Sequence, residues 1–216
     1  MIIEQPVIWM RWLYPNALWR MDRQERAVYL TFDDGPIPEA TPYILEILAR
    51  YDVKATFFMV GDNARKYPEL HQMVIDQGHR IGNHTHNHIS GLRYSIHDYC
   101  YNVEKANAYL HTDLVRPPHG WMRIDLYALL SRKFKIVMWD LVTRDYSKYT
   151  TALDVVNNVK RYARNGSIIT FHDSRKSIDK LRVALPQSIE WLRDQGYKFK
   201  VFDKSSLIIG ENKKQQ

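Results

Sequence analysis

The sequence predicts an α/β fold built on parallel strands, and three observations carry that reading. Seven short apolar runs alternate with helical patterns along the chain, and alternation at this spacing implies parallel strands joined by right-handed crossovers. The runs are apolar almost throughout rather than at every second residue, so the sheet is covered on both faces. The polar residues able to do chemistry fall just after the strands, at the carboxyl pole where such folds place their sites. A small β/α barrel and an open doubly wound sheet both fit this pattern.

The elements follow in order. Residues 27–32 (AVYLTF) read as the first strand, and 39–51 as a helix with Thr41 as its cap and Pro42 at its first position. Residues 54–60 (KATFFMV) form a buried strand. A helix over 68–77 is ended by Gly78, and 79–83 (HRIGN) make a short strand. The pattern over 96–111 predicts a long helix, 113–117 a short strand, 123–132 a helix and 135–139 (KIVMW) a strand. The helix over 152–164 opens on Thr151 and Asp154 in capping-box spacing, with Gly166 beyond its end. Residues 167–172 (SIITFH) are strand, 177–194 helix around Pro186, and 197–202 (YKFKVF) strand.

The chain has 216 residues, which suits one domain, and its 45% hydrophobic content supplies a full core. The charge balance of +7 favours anionic partners. The basic residues are spread out, however, with clusters only at Arg11–Arg26 and Lys213–Lys214. No nucleic-acid motif accompanies them, so no nucleic-acid partner is expected. Cys100, the only cysteine, excludes an intrachain disulfide and a thiolate metal cluster and reads as a small core residue. No apolar run reaches the ~20 residues of a membrane helix. No secretory signal is evident, so a cytoplasmic location is the expectation. Residues 1–26 read as an N-terminal extension packing on a domain of residues 27–216. Its stretch Val7–Trp19 sets Trp9, Trp12, Tyr14 and Trp19 among Arg11 and Arg20. Packing across one end of the domain is the favoured role, and peripheral membrane contact through residues 7–20 the alternative. Nothing in the sequence specifies an oligomeric state.

The stretch YLTFDDGP puts Asp33 and Asp34 side by side after the first strand. A polar turn is the ordinary reason for such a pair, but other polar groups gather at the same pole. His84, His86 and His88 follow the third strand, Arg116 ends the fourth, Asp145 follows the fifth, and His172 and Asp173 end the sixth. In GNHTHNHISG, His84 and His88 are i and i+4; on a helical turn they share a face that His86 does not. Two imidazoles and one carboxylate make a three-ligand site with an open position. One aspartate can bind the metal while the other takes a proton from its water. Arg116 can hold that second carboxylate. His172 can protonate a leaving group, with Asp145 fixing its tautomer and raising its pKa.

The segments TFDDGP, GNHTHNH, RPPHG, WDLVTRDY and GSIITFHD resemble, in order and spacing, the motifs of the polysaccharide deacetylases, the NodB-homology domains of carbohydrate esterase family 4. The resemblance runs from about Ala27 to Phe202. It implies a distorted (β/α)7 barrel with outer helices, and metal-assisted hydrolysis of N- or O-acetyl groups on sugars. It also implies one divalent metal, most often Zn2+, with Co2+ and Ni2+ suiting the same donors. Asp33 then resembles the catalytic base, Asp34, His84 and His88 the ligands, Arg116 the holder of the base, His172 the acid and Asp145 its partner. The expected substrate is an acetylated glycan containing N-acetylglucosamine. A cyclic imide or a formyl group on a lipid-linked sugar is the alternative amide, and a non-catalytic glycan-binding module the less favoured one.

The sequence departs from the family pattern at four places. The tyrosine of the third motif is His119, whose backbone N–H can still serve the oxyanion. An aspartate of the fourth motif is Val142, and its tryptophan is Tyr146. The leucine that helps form the acetyl pocket is Thr170. Tyr146 and Trp121 are expected to offer an apolar face to a sugar ring, with Trp139 assigned either to that role or to the core.

Overall fold

The computed structural model describes residues 4–202; the basic pair Lys213–Lys214 lies outside them. The elements run α1 (Ile8–Leu13), β1 (Ala27–Asp33), α2 (Thr41–Arg50), β2 (Thr56–Met59), α3 (Gly61–Lys66), α4 (Pro68–Asp76), β3 (Arg80–Asn83), α5 (Ile96–Leu110), β4 (Leu114–Val115), α6 (Ile124–Leu130), β5 (Lys135–Ile136), β6 (Leu141–Val142), α7 (Ala152–Tyr162), β7 (Ser167–His172), α8 (Ile178–Asp194) and β8 (Lys198–Phe199). Every strand pairing is parallel. No helix among the described residues is long and apolar enough to cross a membrane.

β1 is the centre of the sheet and is buried at all seven positions. One edge pairs with β7 from Val28 to Asp33. The other is shared, with β8 on its first residues and β2 on its last. The sheet continues through β3 and β4 to β5, while β6 lies at the far end beside β7. β5 and β6 are separated by only residues 137–140. The two ends of the sheet are therefore joined by one short extended segment, and the sheet must curl into a distorted barrel. The strand expected over 135–139 is shorter, Lys135–Ile136 on β4, and the pairing with β7 comes from a separate strand beyond it, Leu141–Val142.

The break frees backbone groups, and other parts of the chain satisfy them. From the N-terminal side, Leu18 bonds to both Ile136 and Met138. From inside the barrel, Arg116 donates through Nε to the Val137 carbonyl (3.3 Å) and through Nη2 to the Met138 carbonyl (2.9 Å). Buried backbone polar groups need such partners, so this joining segment, the seam, recruits the arginine that the sequence suggests for the site.

Two-residue alternation on β1 divides the core. Val28, Leu30 and Phe32 join the cluster shared with α2, α7 and α8. Tyr29 belongs to an inner cluster with Phe58, Leu114, Val137, Ile168 and Phe202. A third cluster packs Met10, Tyr14 and Trp19 against residues of α5, α6 and the seam. Residues 4–21 thus lie along the seam: Val142 N–H donates to the Glu4 carbonyl, Met21 N–H to the Gly166 carbonyl, and Tyr14 Oη to the Met122 carbonyl (2.5 Å). Arg11 and Arg164 both reach the fully buried Asp140, at 3.0 and 2.6 Å.

Several local expectations change. Thr41 is the first residue of α2 rather than its cap, and its hydroxyl accepts from Ile37 N–H (2.8 Å) and donates to Asp173 (3.0 Å). α3, too short and polar for a periodic pattern, had no signal of its own. α7 carries the expected capping box at Thr151 and Asp154, and α8 runs through Pro186. Cys100 is partly buried on α5 beside the third cluster.

Candidate active site

Strand register assembles the site. Asp33 is the pairing partner of His172 across β1 and β7, and of Phe58 on β2. Met59 pairs with Asn83, and Asn83 with Val115. The residues that follow, Asp34, His84 and Arg116, therefore leave the sheet at one level. They line a cavity of about 1230 Å³ together with Asp33, His88, His119, Trp121, Val142, Tyr146, Thr170 and His172.

Asp34, His84 and His88 each offer one ligand atom, all within 4.8 Å of one another. Asp34 Oδ1 lies 3.3 Å from His88 Nε2 and 3.8 Å from His84 Nε2. That oxygen is buried and has no hydrogen-bond partner among the described residues, an uncommon state for a buried carboxylate oxygen. The His84 Nδ1 lies 2.8 Å from the Arg116 carbonyl. A carbonyl only accepts, so Nδ1 carries the proton and Nε2 presents its lone pair to the cluster. Burial pushes the His84 pKa down to about 4, keeping the ring neutral. Burial also opposes ionisation of Asp34, but His88, His172 and His84 hold its carboxylate well below the usual range. Neutral imidazole, an anionic carboxylate and an orphaned acceptor fit a divalent cation.

The histidine pair does not sit on a helical turn, as its i, i+4 spacing suggested. The loop is irregular, with positive φ at Thr85 (65°) and His88 (53°). Side chains hold it instead. Asn83 Oδ1 accepts from Thr85 N–H (2.8 Å), and Asn102 Oδ1 from His86 and Asn87 N–H (2.7 and 3.0 Å). His86 is buried away from the triad, stacked on Tyr109 and facing Asp62. Asp34 also has positive φ, 89°. Non-glycine residues in this region are strained, and here the strained backbones belong to two of the three candidate ligands.

Asp33 has a different setting. Arg116, fully buried, donates to it through Nη1 at 2.7 Å. The same nitrogen donates to Thr31 Oγ1 (2.8 Å), and the guanidinium lies 4.1 Å over the Phe58 ring. Thr31 passes its own proton to the Ile169 carbonyl (3.0 Å), so the Thr170 hydroxyl, 3.3 Å away, is the donor of that pair. Thr170 therefore spends its polarity on the barrel interior while lining the cavity.

His172 and Asp145 form a closed pair. Asp145 Oδ1 lies 2.8 Å from His172 Nδ1, and its Oδ2 accepts the His172 backbone N–H at 2.7 Å. Burial would lower the His172 pKa, but Asp145, with lesser help from Asp34 and Asp33, pushes it up to about 9. Lys180 fixes the loop by donating to the Asp145 and Ser147 carbonyls, each at 2.6 Å. Tyr146 covers the imidazole edge-on at 4.7 Å.

His119 and Gly120 both have positive φ, 61° and 71°. A Cβ on Gly120 would come within 2.2 Å of the Trp139 ring, so only glycine permits that approach. The His119 ring packs edge-on against His88 at 4.8 Å. Asp173 was seen at this pole from sequence, but its task was not. It is buried and accepts from Gly35 N–H at 2.8 Å, while its own N–H donates to the Asp33 carbonyl. It thereby clamps the turn that carries both aspartates. Burial raises its pKa well above the ordinary range. Its only sequence signal was adjacency to His172.

Comparisons with known proteins agree with this architecture. The family model described as polysaccharide deacetylase matches residues 20–131. A peptidoglycan-N-acetylglucosamine deacetylase of Bacillus cereus is 30% identical over 189 residues, 84% of this chain and 88% of that protein. The chain spans less than half the length of several longer relatives. The crystal structure of the Bc1960 peptidoglycan N-acetylglucosamine deacetylase superposes with a TM-score of 0.80 at 32% identity, covering 87% of this chain and 91% of that one. BA3943 of Bacillus anthracis, described as a pseudoenzyme of carbohydrate esterase family 4, superposes at 0.76 with 27% identity over 86% of this chain and 66% of that one. With its motifs in order, its curled parallel sheet and its Asp-His-His cluster at the carboxyl pole, this chain belongs to the polysaccharide deacetylase family.

Proposed function

We propose that the protein is a metal-dependent amide hydrolase that removes N-acetyl groups from N-acetylglucosamine-containing glycans of the peptidoglycan or chitin type. One observation carries the reading: a buried carboxylate oxygen with no partner among the described residues, between two imidazoles, next to a second carboxylate already held by a buried arginine. Asp34, His84 and His88 would hold the cation. When bound, it supplies a Lewis acid for the acetamide carbonyl and lowers the pKa of the attacking water.

The chain's own residues do the rest. Asp33 accepts a proton from that water. Arg116 holds Asp33 in one orientation and balances its charge. The backbone N–H of His119 is assigned as a donor to the oxyanion. His172, kept protonated by Asp145, delivers a proton to the departing amine. Water and amide become acetate and a free amino sugar. Thr170, its hydroxyl turned to Thr31, still offers a small wall to an acetyl group, and Tyr146 an apolar one.

The test is acetate release and mass spectrometry on chitin oligomers and peptidoglycan fragments, with zinc, cobalt or nickel and with chelator. Metal-dependent loss of acetyl groups is the expected result. Loss of formyl groups or opening of cyclic imides alone would redirect the substrate class. No turnover of any amide would place the chain with the non-catalytic relatives.

A further inference from the structure

Resting on the deacetylase reading, we infer that Trp9, from the N-terminal segment, and Trp121 form an aromatic subsite for the sugar ring next to the one that reacts. The enzyme would then act on oligosaccharides in preference to single sugars. Trp9 lies outside the residues matched by the family model, yet it lines the same cavity as the Asp34 cluster. Its ring stands 5.7 Å from Trp121, tilted by 32°.

The wall is close to the chemistry. Trp121 is two residues from His119, so their Cα atoms are at most ~7 Å apart, and the His119 ring touches His88. Trp9 extends the surface outward from there, and it is 43% exposed. Trp139 lines the same cavity, and its buried indole N–H has no partner among the described residues. A buried donor of that kind needs an acceptor, and sugar hydroxyls are acceptors. The apolar C–H face of a pyranose suits indole rings, and a few placed polar groups then fix its orientation.

A lipid surface is the rival occupant, because Ile8 and Trp12 are 66% and 72% exposed on the same short helix. The observations favour the glycan. Trp9 and Trp121 belong to the catalytic cavity, whereas Trp12 and Ile8 do not line it. α1 is anchored from the opposite side through Arg11 and Asp140, and Met10, buried next to Trp9, is part of the core.

The experiment compares wild type, Trp9→Ala, Trp9→Phe and Trp12→Ala, each checked for zinc content. It measures kinetics on chitotetraose and on p-nitrophenyl acetate. Trp9→Ala should raise KM for the tetrasaccharide about tenfold or more, the scale expected when a central aromatic contact is removed. The rise for the small ester should be much smaller. Trp9→Phe should recover most of the loss, and Trp12→Ala should behave as wild type on both. Equal KM for wild type and Trp9→Ala on chitotetraose would overturn the subsite. Equal losses in Trp9→Ala and Trp12→Ala, in binding to anionic phospholipid vesicles alone, would also overturn it, in favour of a membrane role. If wild type releases no acetate, the deacetylase reading fails by itself. Calorimetric titration of chitotetraose into wild type and Trp9→Ala then still decides whether the subsite binds sugar.

Discussion

Asp33 and Asp34 are neighbours in sequence and opposites in setting. Asp33 projects into the barrel, where Arg116, Thr31 and the Thr170 hydroxyl form a connected set of donors and acceptors. Asp34 leaves the sheet on a left-handed backbone and meets two imidazoles with an oxygen that has no hydrogen-bond partner among the described residues. The His172–Asp145 pair belongs with Asp33, since both oxygens of Asp145 are used. One region is complete among the described residues, and the other is open, with three groups that could hold a cation. Proton-handling groups must be oriented before substrate arrives, whereas a cation site needs open lone pairs. The two regions should therefore fail differently when disturbed.

The largest effect should come from breaking the open region. His88→Ala removes one of the three candidate ligands and is expected to abolish both metal retention and turnover. His86→Ala, which alters a ring buried elsewhere, should keep the metal. Elemental analysis of the purified variants checks this. Added zinc should raise the Tm of wild type, because a ligand that binds only the folded state stabilises it, and should not raise that of His88→Ala. Full metal content in His88→Ala would remove the distinction between the regions.

Breaking the closed region should leave the metal in place. Asp33→Asn keeps the shape and an acceptor for Arg116, so the protein should fold and bind zinc as wild type does. Its turnover should fall by about 100- to 10,000-fold, the usual range for loss of a positioned general base. Single-turnover kinetics with metal analysis on the same sample measures both. A few-fold loss would mean that Asp33 is not the base.

The contrast also explains what could be read in the sequence. Most of the candidate groups were legible because they sit at or just after a strand end, and strand ends are marked by apolar runs stopping at polar residues; His88 and Asp145 lie further out, five and three residues beyond β3 and β6. Asp33, Asp34, His84, His88, Arg116 and His172 line one cavity, and Asp145 is buried beside it, bonded to His172. Their supports were less visible. The His84–His88 approach depends on Asn83 and Asn102 holding an irregular loop, and Asn102 is on α5, far along the chain. The end of β5 at Ile136 has no local signal, since Val137 and Met138 are as apolar as their neighbours and their backbone groups are satisfied by Leu18 and Arg116 from elsewhere in the chain. The place of Trp9 was ambiguous because alternating aromatic and basic residues suit a core edge, a membrane surface and a sugar platform alike.

Gly35 tests the link between the two regions. A Cβ there would fall 1.7 Å from Asp173 Oδ2, so Gly35→Ala must displace the carboxylate that clamps the aspartate turn. Stability should drop on the order of 1–3 kcal/mol, the cost typical of overpacking a tight site. Zinc affinity should fall with it, because Asp34 is the adjacent residue. Thermal melts with and without zinc would show a smaller metal-induced rise in Tm than in wild type. An unchanged rise would mean that the turn positions Asp34 without Asp173.

The smallest effect, and the sharpest comparison, is a displacement along the pH axis. His172 is held protonated to about pH 9, chiefly by the Asp145 carboxylate. If His172 is the acid, the rate should fall on the alkaline side as that proton leaves. A cation on Asp34 offsets the part of the shift that Asp34 contributes, so the limb in the loaded enzyme should lie somewhat below 9. Asp145→Asn removes the main charge that favours imidazolium, and the descending limb should move toward the ordinary imidazole value of ~6.5. The ascending limb should stay, because it reports Asp33 coupled to the water rather than His172. Stability gives an independent sign. The His172 pKa is raised on folding, so its contribution is fully present below ~6.5 and is lost as pH rises through about 9. Wild type should therefore exceed Asp145→Asn most in acid-to-neutral buffer, with the gap closing above pH 9. A pH–rate profile with an unmoved descending limb would remove His172 from the role of acid, even if Asp145 still proved necessary for stability.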